Sequence, residues 1–230
     1  MEKSFTEIVR EQTTPYWEGS FKHPFIVQLQ EGSLPIENFR YYLIQDSYYL
    51  IHFSELYRKV AEKTIVSELR TQMMNNAADL AKGELAIRAN FFKDLDITEE
   101  EINLTQISPT AYHYVSHMYR QLVAHNAAIA AASLLPCSWL YFDIGRNLKN
   151  ENVKSPVSIY QKWIETYGSD EASEALEKER ALLNRLYAES KKVDQEMMIS
   201  AFVISAKMEF NFWEMAYKLE KWSEGIKNDN

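Results

Sequence analysis

Apolar residues recur at intervals of three and four along most of the chain, the spacing that lines one side of an α-helix. The clearest stretch, residues 36 to about 62, places Phe39, Tyr42, Leu43, Tyr49, Leu50, Phe53, Leu56, Tyr57 and Val60 on one wide face. Ahead of it, residues 5–17 carry the same period with an interruption expected at Pro15. Gly19, Pro24, Gly32 and Pro35 then divide the chain into short pieces. A second helix is predicted over about residues 67–92. Thr98 followed by Glu101 fits a capping box, and Ser108 with Pro109 opens a helix running to His125. Further helices are predicted over 126–149, interrupted at Pro136, and over 158–167, about 171–190, and 194–218, with Gly168, Ser169 and Asp170 as a break. Val193, Ile199, Val203 and Ile204 favour strand locally, but the length and period of their segment favour helix. No repeat and no Gly/Ser/Pro-rich linker divides the chain, so one domain over residues 1–230 is expected, an all-α multi-helix bundle.

Composition agrees with helices and narrows the function. The 230 residues include only six Gly and six Pro, few for a protein built from strands and tight turns. A net charge of −8 argues against a duplex-binding protein, whose affinity rests on cations displacing counterions from phosphates. The most apolar run, residues 127–135, contains Ser133 and stops at Pro136, short of the roughly 20 residues a membrane span needs. Residues 1–10 mix acidic and basic side chains with no apolar block behind them, so no secretory signal is expected. One cysteine forms no internal disulfide, and a soluble protein of the reducing cytoplasm is the expectation.

That cysteine, Cys137, follows Pro136, whose missing amide hydrogen makes the helix kink or restart there. If a new helical turn begins at Pro136, its free amides favour the reactive thiolate. The alternative is a small buried hydrophobe. Asp46 shares a helix side with Tyr42, Tyr49 and Leu50, so its carboxylate faces a packed interior and needs a tyrosine, a histidine or a ligand's donors as partner. Glu209 has Ser205, Ala206, Phe212 and Trp213 at helical spacing and also projects from an apolar side, unless it reaches solvent or pairs with Lys207 or an arginine. Two inward carboxyls and one thiol suit addition of sulfur to an electron-poor carbon, one carboxyl orienting the substrate and the other moving protons. His113 and His117 stand four apart and could ligate a metal from one face, but neither an Glu-x-x-His motif nor further ligands accompany them, and structural roles account for them as well. With fourteen Tyr and five Trp in the chain, aromatic walls for a flat heterocycle are available, Tyr114, Tyr141 and Tyr167 among them.

At these residues the chain resembles the TenA family, thiaminase II. The motifs in family order are Tyr16-Trp17-Glu18-Gly19-Ser20-Phe21 with His23-Pro24-Phe25, and Gln45-Asp46-Ser47-Tyr48-Tyr49-Leu50. Ser108-Pro109-Thr110-Ala111-Tyr112, Ser116-His117-Met118-Tyr119 and Leu134-Leu135-Pro136-Cys137 follow. Tyr160-Gln161-Lys162-Trp163-Ile164, Thr166-Tyr167-Gly168, Phe212-Trp213 and Met215-Ala216-Tyr217 complete the set. The resemblance implies an all-α bundle similar to haem oxygenase, assembled as a homotetramer. It implies hydrolysis of an aminopyrimidine at its exocyclic CH₂ group: 4-amino-5-aminomethyl-2-methylpyrimidine to the 5-hydroxymethyl compound, and thiamine to the same pyrimidine and its thiazole, for thiamine salvage. Carried over residue by residue, Cys137 is the nucleophile, Glu209 the acid/base and Asp46 the carboxylate on the pyrimidine's amino edge. Tyr49, Tyr114, Tyr141 and Tyr167 become pocket aromatics or hydroxyl donors, and Cys137 puts the chain with the cysteine-containing members. No metal or organic cofactor and no nucleic-acid or membrane partner is implied. Two other readings remain at this point, a pocket that holds a pyrimidine without converting it and a helical scaffold with no small-molecule site.

Overall fold

The computed structural model describes residues 3–150, 154–167 and 170–223, and among them eleven helices and no strand. The break expected at Gly168 and Ser169 lies outside the described residues. The chain starts with α1 (Phe5–Phe21), whose first turn carries a capping box between Ser4 and Glu7. Pro15 does not interrupt it, contrary to expectation. Phe5, Val9, Thr13 and Trp17, one turn apart, are all buried, mainly against α10 and α11 defined below, and that burial outweighs one lost backbone bond. Pro24 opens the short α2 (Pro24–Glu31), and Gly32 ends it at a φ of 78° that a side chain would strain.

The predicted long helix is α3 (Ile36–Lys63), 28 residues and so about 42 Å long. Beyond it the sequence reading needs a correction, because the single helix predicted over 67–92 is two: α4 (Ser67–Lys82) and α5 (Glu84–Asp94). Gly83, with ψ near −82°, turns the chain so that both pack against α3, which a straight helix of that length could not do. At α6 (Glu99–Leu104) Thr98 accepts from the Glu101 amide as expected, but the reciprocal half of the box is replaced by a pairing of the Glu101 carboxylate with Arg40. Ser108 caps α7 (Pro109–Ala124) at 3.0 Å from the Ala111 amide.

The bundle's centre is α8 (Ala127–Asn150), surrounded by α3, α7, α9 (Ser158–Thr166), α10 (Asp170–Glu189) and α11 (Lys192–Lys218), with α11 its most extensive neighbour. It runs unbroken through Pro136, which corrects two expectations. Residues 127–149 are long and apolar enough to cross a membrane, but they serve as a core helix, with 72% of their most apolar 18-residue stretch buried inside the bundle. Cys137 also sits mid-helix rather than at a helix start, so no free first-turn amides face its sulfur.

Candidate active site

Four side chains on α3, each three or four residues after the last, form the floor of a cavity of about 550 Å³: Asp46, Leu50, Phe53 and Tyr57. From Asp46 to Tyr57 the floor extends about 16 Å. Cys137, Ser138 and Tyr141 of α8 form one wall, Asn76 and Asp79 of α4 with Ile87 of α5 another, and Tyr167 and Glu179 close it. The volume falls in the range of about 300–1,000 Å³ usual for small-molecule pockets.

Asp46 and Cys137 both line this cavity, and Glu209 stands behind the cysteine, its carboxyl accepting a hydrogen bond from the Cys137 thiol. Glu209 is 2% exposed, and its Oε1 also accepts from the Tyr114 hydroxyl at 2.6 Å. Burial pushes the Glu209 carboxyl up to about 8, against the opposing effect of the Tyr114 hydrogen bond. The group therefore holds its proton at neutral pH, as a proton donor must. The alternatives of solvent exposure and of pairing with Lys207 are excluded by this geometry.

Asp46 takes a partner that the sequence reading missed. The Arg88 guanidinium of α5 pairs with it, both residues being almost wholly buried, and Arg88 also stands over the Tyr42 ring at 5.7 Å. Burial pushes the Asp46 carboxyl upward and the guanidinium pulls the other way. A guanidinium does not give up its proton in a protein, so the neutral state of the pair is an ion pair with Asp46 as carboxylate. Arg88 stands on the same side of its helix as Phe91 and Phe92, the only trace of inward orientation the sequence offered.

The tyrosines divide into two groups. Tyr141 and Tyr167 line the cavity, their rings 5.0 Å apart, and the Tyr141 hydroxyl lies 3.2 Å from that of Tyr42. Tyr49 and Tyr114, rings 4.9 Å apart, lie outside the cavity lining and support Glu209 and Cys137 from behind. Burial raises the Tyr49, Tyr114 and Tyr141 hydroxyls well above the ordinary tyrosine value, so these three act as neutral donors. His117 is bonded to the Ala201 carbonyl and to Gln121, while His113 packs edge-on against Trp222, so the two histidines take different structural partners.

Gly145 of α8 is a second missed position. A Cβ there would stand 2.5 Å from the Tyr167 carbonyl carbon and 2.7 Å from its Cβ and oxygen, so only glycine lets the Tyr167 backbone rest on α8. Gly145→Ala is expected to lower stability by about 1–3 kcal/mol in urea unfolding, through overpacking. It should also raise KM, because Tyr167 is displaced from the cavity wall; an unchanged KM would mean that the ring's position is set from elsewhere.

The sequence model of the TENA/THI-4/PQQC family matches residues 10–219. The aminopyrimidine aminohydrolase of Bacillus subtilis (strain 168) is 40% identical over 220 residues, covering 96% of this chain and 92% of that protein. The aminopyrimidine aminohydrolase of Halalkalibacterium halodurans is 28% identical over 230 residues, covering 96% and 98%. Among solved structures, a TenA homologue from P. horikoshii OT3 superposes with a TM-score of 0.82 at 27% identity, covering 94% of this chain and 99% of that one. A TenA homologue from Pyrococcus furiosus, at 21% identity, shares the fold with a TM-score of 0.83 over 92% of this chain and 99% of its own.

Proposed function

The chain belongs to the TENA/THI-4/PQQC family, and from that premise we propose that it is an aminopyrimidine aminohydrolase. It converts 4-amino-5-aminomethyl-2-methylpyrimidine to the 5-hydroxymethyl compound and ammonia, and cleaves thiamine at the same CH₂ group, for thiamine salvage. The observation that carries this reading is the meeting of Cys137 and Asp46, remote in sequence, at one cavity with aromatic walls, with Glu209 hydrogen-bonded to the cysteine from behind. We read the protein as a member of the cysteine-containing type.

In this reading Asp46, kept ionised by Arg88, accepts from the pyrimidine's amino group and fixes the ring beside Tyr141 and Tyr167. The Cys137 sulfur then bonds to a ring carbon next to a ring nitrogen. Electrons from the broken π-bond collect on that nitrogen, which takes the Glu209 proton as the thiol proton passes to Glu209 along their hydrogen bond. The electron pair returns through the ring and breaks the bond from CH₂ to the leaving nitrogen, giving an exocyclic alkene. Water adds to that alkene carbon and its proton passes to the released ammonia or to bulk water; the Cys137 sulfur then departs and takes back, through Glu209, the proton held on the ring nitrogen, which restores the aromatic ring.

Purified protein incubated with the aminomethylpyrimidine is expected to release ammonia and the hydroxymethyl product in equal amounts. Binding of the pyrimidine with no turnover would replace this reading by a carrier function, and absence of binding would leave a scaffold. Comparing kcat/KM for the two substrates measures the preference between them. Assembly as a homotetramer is part of the same reading. Its support here is the exposure of large apolar side chains on two helices that pack together, Ile51 of α3 with Tyr112 and Val123 of α7, whose burial between copies would remove them from water. The Cys137 thiol, in no disulfide among the described residues, fits a reducing, cytoplasmic location.

A further inference from the structure

The far end of the cavity holds a carboxyl that the mechanism above does not use. Glu179 of α10 lines the cavity and is 3% exposed. One of its oxygens, Oε2, accepts from the Asn76 amide of α4 at 3.0 Å, while Oε1 is buried with no hydrogen-bond partner among the described residues. A buried carboxyl oxygen left in this state costs free energy unless a ligand supplies the donor. In sequence Glu179 stands in the run Glu177-Lys178-Glu179-Arg180, which reads as a solvated face, so its inward orientation is a product of the fold alone.

Position along the cavity gives this carboxyl its meaning. Asp46 and Tyr57 mark opposite ends of the floor, Tyr141 lies near Asp46, and Ser138, a turn earlier on α8, lies near Tyr57. Tyr57 in turn interacts with Asn76 and Glu179, and also with Cys137. The order along the cavity is therefore Asp46, Cys137, then Tyr57 with Glu179. With a pyrimidine placed between Asp46 and Cys137, the cavity left for its CH₂ substituent leads toward Tyr57 and Glu179.

We propose that Glu179, oriented by Asn76, is the subsite for a cationic leaving group. The inference rests on the aminopyrimidine reading and extends it. Both leaving groups of that reading are positively charged in the substrate, an alkylammonium in one and a thiazolium in the other. When the CH₂–N bond breaks, its electron pair stays on nitrogen, so the group departs neutral, as ammonia or thiazole. Glu179 thus binds the ammonium through Oε1 before cleavage and releases a neutral product after it, which favours exit. For the thiazolium the contact is charge to charge, without a donated hydrogen. Burial pushes this carboxyl up to about 7, and an adjacent cation favours its ionised form, so binding the charged substrate sets the state that recognises it.

The test uses full-length protein carrying Cys137→Ser, so that ligands bind without being consumed, with and without Glu179→Gln. Dissociation constants are measured by calorimetry for the aminomethylpyrimidine and for the neutral hydroxymethylpyrimidine. Glu179→Gln is expected to weaken the aminomethyl compound by about tenfold or more while changing the hydroxymethyl compound by less than about twofold. Equal weakening of both, or of neither, overturns the leaving-group subsite and leaves the pyrimidine reading standing. Failure of both compounds to bind the parent Cys137→Ser protein, folded by circular dichroism, overturns the pyrimidine reading itself. Should Glu179→Gln not fold, Asn76→Ala supplies the same comparison. Loss of the donor that orients Glu179 should then reduce the discrimination between the two compounds by at least about threefold, and undiminished discrimination overturns the proposal.

Discussion

Replacing Cys137 by serine is expected to lower turnover of the aminomethylpyrimidine by about 10³-fold or more while leaving binding of the hydroxymethyl product within about threefold. The two atoms differ little in size, so the cavity keeps its shape, but an alcohol gives up its proton far less readily than a thiol and its oxygen adds to the ring more slowly. The relay between sulfur and Glu209 is what makes the exchange costly: as sulfur bonds to carbon, its proton replaces the one Glu209 gives to the ring nitrogen. Single-turnover kinetics with rapid quenching would measure the loss in the chemical step directly. Unchanged turnover in Cys137→Ser would remove the nucleophile and, with it, the addition mechanism. The remaining carboxyls, Asp46 and Glu209, would then have to carry the reaction through direct activation of water.

Glu209→Gln is expected to have the second largest effect, and in two opposite directions. Activity should fall by about 10²–10⁴-fold, because the amide keeps the shape and a hydrogen-bonding position for Tyr114 but cannot exchange protons with the substrate. Stability should move the other way at alkaline pH. The folded carboxyl titrates near 8 and its ordinary value is 4.5, so between these limits the folded chain holds a proton that the unfolded chain has lost. Stability from this group is thus complete below about 4.5 and declines as pH rises toward 8. The glutamine variant lacks that decline. Urea unfolding at pH 5 and pH 8 should show the variant gaining on the parent by a few kcal/mol across the window. In the parent, kcat/KM should fall above pH 8, where the carboxyl can no longer donate, and that limb should be absent from whatever activity the variant retains. A constant stability difference across the window would mean that Glu209 is ionised in the fold and that its role as proton donor is wrong.

Asp46 and Glu209 were accessible from the sequence because each stands in a helix whose apolar spacing made its orientation readable. Asp46 among Tyr42, Tyr49 and Leu50, and Glu209 among Ser205, Phe212 and Trp213, are polar groups on faces that had to be buried. Arg88 and Glu179 gave no comparable signal. Arg88 follows a helix break that periodicity did not resolve, and Glu179 lies in a charged run whose solvated alternative is equally compatible with its neighbours.

Sequence periodicity by itself determined that the chain is helical, which faces point inward, and that a thiol and two carboxyls lie on such faces, because a 3.6-residue repeat of apolar side chains is a local property. The tertiary structure alone decided that α8 continues through Pro136, that Gly83 turns α5 so that Arg88 meets Asp46, and that Gly145 receives the Tyr167 backbone. Each of these depends on contacts between segments far apart in the chain, where packing energy outweighs the local preference of a proline or a charged side chain for a helix end or for water.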